Sequence, residues 1–396
     1  LANPVFLDLS EVITITRDVV LEKFDTVLKD PYGGIERWKG SYKGSIGYFL
    51  PHVPEEMIHA AGFLPVALLA RDPGGTSFGG SPFIPNICCS YMRSVIEMVV
   101  SQEFAKLAGV ITPIVCDASR VLSDMWRNES SFKFYEVFRI PRKVKGIGVR
   151  EYFRGELERM RSFLENYTGE PLRDEDLKRS IEIYNKNKET LKKLYRFQVE
   201  HPSLLTTREF FNIVKCAMVM PKEVHTMWTA ELLAVLEEEQ ERIPATEFIR
   251  LVAVGKLWEP PEVLDIIYDN RAIIAGDNFC VGSAYIESSG GVDGGDPYAV
   301  LMDGLFKQMT MFSGYLSPRR DKGAGILKLI EKTSARGAVF FQLKFCELLA
   351  YDYPDLRAAL EKRNIPALAV ETDLSAVSSG RVKTQLEAFL EIIKGS

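Results

Sequence analysis

At 396 residues the chain is too long for one ordinary domain and favours two or three, and 46% hydrophobic against 26% charged residues is enough to bury a sizeable core. A net charge of −5 with both signs interspersed leaves no basic face, which sets nucleic acid aside as a partner. No apolar run approaches the roughly 18 residues that a membrane helix requires, so a membrane-spanning role is excluded.

Residues 1–44 read as a mostly helical N-terminal arm, closed by Gly33-Gly34 and the breaks at Gly40 and Gly44. Its opening, Leu1-Ala2-Asn3-Pro4-Val5-Phe6, lacks a basic region followed by an apolar stretch. A cytoplasmic protein is therefore expected, with a leucine start that is processed, trimmed or misassigned. A first α/β domain is expected over 45–147. It starts with a short strand at Ile46–Phe49, and Pro54-Glu55-Glu56 opens a helix with proline and carboxylates in the first turn. Leu64–Leu69 is a second strand, 73–85 a Gly/Pro-rich loop, and the apolar spacing from Asn86 to about Glu103 is helical. Gly109–Val115 is a buried strand, Asp117–Arg127 a helix and Phe132–Phe138 another strand. Such alternation argues for a mainly parallel sheet.

Over 148–243 the pattern changes to long amphipathic helices, clearest at Glu151–Tyr167, Asp174–Phe197 and Glu223–Glu241, forming an inserted helical layer. A second α/β domain is expected over 244–396. Its strands fall at Ile249–Val254, Ala272–Ala275, Ala338–Leu343 and Ala367–Val370. Helices are expected at Pro261–Asn270, Pro297–Phe312, Gly325–Ala335, Cys346–Arg363 and Arg381–Lys394, with a mobile glycine-rich loop at Ser288–Asp296. The class is α/β: two doubly wound, Rossmann- or flavodoxin-like parallel sheets joined by helices, with no visible sequence repeat between the halves.

The six cysteines are the chemically informative residues. A reducing compartment argues against disulfides, and the absence of a Cys-x-x-Cys pair removes a zinc ribbon or a ferredoxin motif. Three of them stand where a strand gives way to a helix or a helix begins: Cys89, Cys116 and Cys346. In open α/β sheets ligands gather beyond the carboxyl ends of the strands, so residues distant in sequence can meet there. Three thiolates suit an iron–sulfur cluster with one iron left open. The competing reading is packing, because free cysteine is among the most buried residue types. Cys216, between Val214 and Met218 in a helix, reads as packing, and Cys280 is ambiguous. Cys88 lies about 100° around the expected helix from Cys89, which leaves only one of the two facing a shared site.

Several stretches together resemble the 2-hydroxyacyl-CoA dehydratase and benzoyl-CoA reductase superfamily. They are Val53-Pro54-Glu55-Glu56-Met57-Ile58-His59-Ala60-Ala61-Gly62, Cys89-Ser90-Tyr91-Met92-Arg93-Ser94, Gly109-Val110-Ile111 leading to Cys116-Asp117, and Ser180-Ile181-Glu182-Ile183-Tyr184-Asn185. Lys344-Phe345-Cys346 followed by Tyr351-Asp352-Tyr353-Pro354, Val370-Glu371-Thr372-Asp373 and Thr384-Gln385-Leu386-Glu387-Ala388-Phe389 complete the match over nearly the whole chain.

The resemblance implies that Cys89, Cys116 and Cys346 hold a [4Fe-4S] cluster. It also implies a homologous second subunit in a heterodimer, an acyl-CoA substrate, and a separate ATP-dependent iron–sulfur activator protein that feeds single electrons. The implied reaction is elimination of water from a 2-hydroxyacyl-CoA thioester through a ketyl radical. Reduction of an aromatic acyl-CoA in the benzoyl-CoA reductase manner is the alternative, and a non-catalytic electron-transfer or scaffold subunit with a closed cluster is the third reading.

Radical elimination needs acid–base groups, and Glu56 matches a family glutamate in that role. Glu55 and Glu56 also suit the first turn of a helix for purely electrostatic reasons. Ser45 is a candidate donor to a thioester carbonyl and His52 a candidate proton donor or anion binder, each with an incidental reading beside it. His225 matches a family histidine in the helical layer. The chain departs from the pattern at three places: no proline follows Cys346-Glu347, Ala284 stands where arginine is common, and Asn278 replaces an acid.

Overall fold

The first helix is set by its cap. Thr16 precedes α1 (Arg17–Lys29), its hydroxyl accepting from the Val19 N–H at 3.4 Å, and Val20, Phe24 and Val27 form the buried stripe. The computed structural model describes residues 15–38, 40–71, 87–129, 132–240, 243–290, 295–311, 322–374 and 379–395. The first 14 residues of the expected arm, the loop expected at 73–85 and part of the loop expected at Ser288–Asp296 lie outside them.

After a 3₁₀ turn (Gly33–Trp38) come β1 (Ser45–Tyr48), α2 (Glu55–Ala60), β2 (Leu64–Ala67), α3 (Ser90–Val100), β3 (Gly109–Pro113), α4 (Asp117–Glu129) and β4 (Phe134–Phe138). The strands pair in parallel in the order β2-β1-β3-β4. Every residue of β1, β2 and β3 is buried, which is why these strands read as apolar runs rather than as an alternation.

Four helices follow: α5 (Val149–Thr168), α6 (Asp174–Glu200), α7 (Thr207–Ala217) and α8 (Lys222–Glu238). Glycines in the left-handed region, Gly148 and Gly169, bracket α5. The helix expected around Cys216 is α7, whose bounds the sequence leaves open. Its start is fixed by a reciprocal capping box between Thr206 and Glu209.

The second sheet is built from β5 (Ile249–Gly255), α9 (Glu262–Asp269), β6 (Ala272–Asp277), α10 (Ser283–Ile286), α11 (Pro297–Met311), α12 (Lys322–Thr333), β7 (Gly337–Leu343), α13 (Glu347–Glu361), β8 (Ala367–Thr372) and α14 (Ser379–Gly395). Its strands are again all parallel, in the order β6-β5-β7-β8. The α/β class with two doubly wound parallel sheets is thus observed.

The two sheets share one winding order and, at the level of register, a hidden repeat. Tyr48 pairs with Ile111, five residues before Cys116; Gly255 pairs with Phe341, five residues before Cys346. Superposing the halves on that register brings Pro54-Glu55 onto Pro261-Glu262, the starts of α2 and α9. One apolar core runs from α1 through the helical layer to the inner faces of both sheets. A smaller one fills the space between β5, β7, α12 and α13.

Candidate functional site

In each sheet the winding reverses beside its first strand, between β1 and β3 and between β5 and β7, and the crevice at the carboxyl ends of such a pair is where ligands gather. Cys116 follows β3, Cys346 follows β7, Lys256 follows β5, and His52 lies in the loop after β1. A cleft of ≈ 550 Å³ opens there, lined by Cys88, Cys89, Cys346, Asp117, Phe345 and Glu371 among others. Cys116 adjoins it, close enough to act electrostatically on Cys88, Cys346 and Lys256. The three cysteines singled out in the sequence are therefore brought together from both halves of the chain.

Each of the three stands directly ahead of a helix: Cys89 is the N-cap of α3, Cys116 precedes α4, and Cys346 is the N-cap of α13. At Cys116 the sulfur accepts from the Ser119 N–H at 3.4 Å, while the Ser119 hydroxyl returns a 2.7 Å bond to the Cys116 carbonyl. At Cys89 and Cys346 the N–H three residues on, Met92 and Leu349, favours the thiolate without closing a full cap bond. Unpaired N–H groups at helix starts make such positions hospitable to negative sulfur.

The expectation that only one of Cys88 and Cys89 can face a shared site is corrected here. Both residues precede the helix, with Cys89 in extended backbone (φ −61°, ψ 147°), so the 100° step of a helix does not separate them. Both line the cleft. Their sulfurs interact, which draws the Cys88 thiol down and, with burial, drives Cys89 well up. Burial raises Cys346 as well, against the pull of Lys256. Cys280, fully buried behind the cleft, donates its backbone N–H to the Lys256 carbonyl at 3.0 Å, and burial pushes its thiol up to about 12.

Lys256 is the residue that sequence reasoning missed. Burial works to lower its ammonium pKa, but the sulfurs of Cys89, Cys346, Cys116 and Cys280 together raise it above the ordinary lysine value. His52, also buried, is held neutral: burial first, then Lys256, lower its pKa to about 3. Its charged form is therefore absent near neutral pH, which removes it as a ready proton donor.

The turn that aims Cys346 uses Phe345 in the left-handed region (φ 63°), with the Cys346 N–H bonded to the Leu343 carbonyl at 2.9 Å. That conformation ordinarily belongs to glycine or asparagine. Leu50, in the loop after β1, is left-handed too (φ 64°). Where the family usually has proline after the acid, α13 instead begins at Glu347 without a break. Asn278 accepts from the Gly255 N–H at 3.1 Å, and Ala284 is fully buried in α10.

Glu56 is placed elsewhere. Helix α2 packs on α6, and Glu56 meets Lys188 at 3.1 Å, while Glu55 meets Lys222 of α8 at 2.8 Å. Glu55, Glu56, Lys188 and Tyr285 border a small pocket, ≈ 20 Å³, roomy enough for about one water. It shares no lining residue with the cysteine cleft. The short loop Pro51-His52-Val53 separates the two, with Pro51 and Val53 lining the pocket and His52 under the field of Lys256.

Ser45 opens β1 at the amino edge of the sheet, about 10 Å of strand from the edge that carries the cysteines. The structure does not bring it to them. His225 is a core residue: its Nδ1 accepts from the Asn187 amide at 2.8 Å, which makes Nε2–H the donor to the Ile213 carbonyl at 2.9 Å. Cys216 is fully buried and donates to the Phe24 carbonyl at 3.3 Å, as a packing residue should.

Among the described residues no three His, Cys, Asp or Glu side chains close around a position for a single metal ion. A four-iron cluster asks for something different, since each thiolate binds its own iron and the donors stand further apart. A sulfur-rich, lysine-bordered cleft fits that donor requirement chemically. No described helix is long and apolar enough to cross a membrane.

Comparison with known proteins gives a consistent outcome. The chain is 26% identical to the lactoyl-CoA dehydratase subunit beta of Anaerotignum propionicum, over 95% of this chain and 99% of that protein. It is 25% identical to the (R)-2-hydroxyglutaryl-CoA dehydratase subunit beta of Acidaminococcus fermentans, over 94% and 98%. It is 24% identical to a benzoyl-CoA reductase subunit of Thauera aromatica, over 88% and 90%. Residues 51–393 match the family model for the D-component of 2-hydroxyglutaryl-CoA dehydratase, a span that takes in the first sheet from β2 onward, the helical layer, the second sheet and all six cysteines, and the chain belongs to that family.

Proposed function

We propose that the chain is a subunit of a radical 2-hydroxyacyl-CoA dehydratase that holds an iron–sulfur cluster through Cys89, Cys116 and Cys346. The observation that carries this reading is the meeting of three thiols, each ahead of its own helix, at one cleft between two switch points. Bound there, a [4Fe-4S] cluster would supply single electrons to a coenzyme A thioester, chemistry that no side chain provides.

The chain's own residues have three tasks. The helix starts favour negative sulfur, and the buried Lys256 offsets that charge. The apolar wall of the cleft, including Ile96, Val121 and Leu343, limits water around the thiolates. Glu56, held by Lys188 at the neighbouring pocket, is the group we assign to exchange a proton with a substrate that reaches past the 51–53 loop. The subunit names of the relatives support a partner chain, which we take to be homologous, with a separate ATP-dependent activator as the source of the single electrons.

Two observations favour other readings. The match to a benzoyl-CoA reductase subunit over most of the chain supports the reductase branch. A fourth thiol, Cys88, at the same cleft supports a closed, electron-transferring cluster. The test is anaerobic purification with iron, acid-labile sulfide and EPR measured on the wild type and on Cys116→Ala. Turnover is then assayed with partner subunit, activator and ATP on 2-hydroxyacyl-CoA and on benzoyl-CoA. Full iron in Cys116→Ala overturns the ligand assignment. Ring reduction without water elimination moves the protein to the reductase branch, and a cluster without either activity moves it to the scaffold.

A further inference from the structure

Lys256 is buried with its charge facing aromatic rings and sulfur. It is 3% exposed, and among the described residues no carboxylate pairs with its ammonium. Its surroundings are the faces of Tyr91 and Phe49, 5.4 and 6.0 Å from the ring centres, and the sulfurs of Cys89, Cys116, Cys280 and Cys346. The other buried lysines behave differently: Lys188 is paired with Glu56 and Lys222 with Glu55. An ammonium removed from water without a counter-ion is among the costliest arrangements a fold can hold, and two aromatic faces return only part of the cost. Lys256 also sits where register superposes it on Phe49, so the equivalent residues of the two halves meet. An anion held by the neighbouring cysteines would supply that counter-charge.

We propose that Lys256 is the fixed counter-charge of the cysteine centre, a positioning residue that retains an anionic iron–sulfur cluster and raises the potential at which the cluster is reduced. The proposal rests on the cluster reading given above. A unit positive charge in a water-poor site favours whichever state carries more negative charge, and that is the reduced one. A lysine present only to pack its methylenes would do neither.

The test compares wild type, Lys256→Met and Lys256→Arg, with Cys116→Ala as the control on the cluster reading, each cluster-free and after anaerobic reconstitution. Cluster-free Lys256→Met is expected to melt higher than cluster-free wild type, because the unpaired charge is gone. Reconstituted Lys256→Met should retain less iron, and its midpoint potential in an EPR-monitored titration should shift negative, with Lys256→Arg returning it toward wild type. Lys256→Gln is read in the same way should the methionine variant fail to fold. Full iron at an unchanged potential in Lys256→Met overturns the proposal, as does equal destabilisation of both states, the signature of packing alone. Full iron in Cys116→Ala removes the cluster reading itself, and the proposal with it.

Discussion

Breaking the Glu55–Lys222 pair tests how α2 is held, and with it the placement of Glu56 one residue on. The carboxylate and ammonium are 2.8 Å apart with side chains 4% and 2% exposed, and Lys222 also donates to the Ala217 carbonyl and lies over the rings of Tyr184 and Tyr285. Glu55→Gln leaves the ammonium buried beside a neutral amide. Losing one partner of such a pair costs about 3–5 kcal/mol. A second route gives a ceiling: if Lys222 sheds its proton instead, neutralising a lysine of ordinary pKa near 10.4 at pH 7 costs about 4.6 kcal/mol. Burial already holds the Lys222 pKa below the ordinary lysine value against the pull of Glu55, so the actual cost should fall below that ceiling, at about 3–4 kcal/mol. Lys222→Met strands Glu55, whose other neighbours include Tyr48 and the Tyr285 hydroxyl, the latter at 3.5 Å, at similar cost. The double variant should recover more than about 2 kcal/mol of the summed loss. Urea denaturation of reduced, cluster-free protein, followed by fluorescence and circular dichroism together, measures all four corners of the cycle. A coupling below about 0.5 kcal/mol would show that water reaches the pair and that charge does not hold α2.

Acid should destabilise the protein through His52 and His225, both held neutral by burial with pKa values lowered to about 3 from 6.5. The unfolded chain binds these protons first, so the contribution is complete above about pH 6.5 and is lost as pH falls toward 3, at up to about 1.4 kcal/mol per pH unit for each histidine. Equal urea midpoints at pH 7 and pH 5 would contradict this, and His225→Gln should flatten the slope. At Gly255 a side chain would place Cβ 2.9 Å from the Phe341 carbonyl oxygen, a backbone atom that cannot swing aside. Gly255→Ala should therefore cost about 1–3 kcal/mol and lower iron retention, since β5 and β7 carry Lys256 and Cys346. Glu56→Gln should leave iron content unchanged while reducing turnover about 10²–10⁴-fold, and undiminished turnover would end its acid–base role. Cys216→Ala should keep full iron and lose only about 1 kcal/mol of stability with its bond to Phe24.

Much of this protein is legible in one dimension because its strands are buried on both faces. Runs such as Val110-Ile111 and Val339-Phe340-Phe341 have no solvent-facing positions to break them, so strand, class and order of elements follow from local composition. Helix α7 is read from sequence only around Cys216, although Thr206-Thr207-Arg208-Glu209 carries the capping signal that fixes its start. Cys88 is misplaced by a helix started at Asn86. A boundary error of four residues changes which side chains seem able to share a face.

From the residues themselves come the α/β alternation, the helical layer and the suspicion attached to cysteines that precede helices, because each depends on neighbours within a few positions. Only the folded chain could decide that Cys89 and Cys346 line one cleft with Cys116 beside it, that Glu55 and Glu56 are matched by Lys222 and Lys188, and that among the described residues Lys256 has sulfur and aromatic faces around it and no carboxylate partner. A lysine in a string of letters looks like any solvated lysine. Its meaning lies in how much water remains around it and which charges replace that water, and both are set by contacts between segments far apart in the chain.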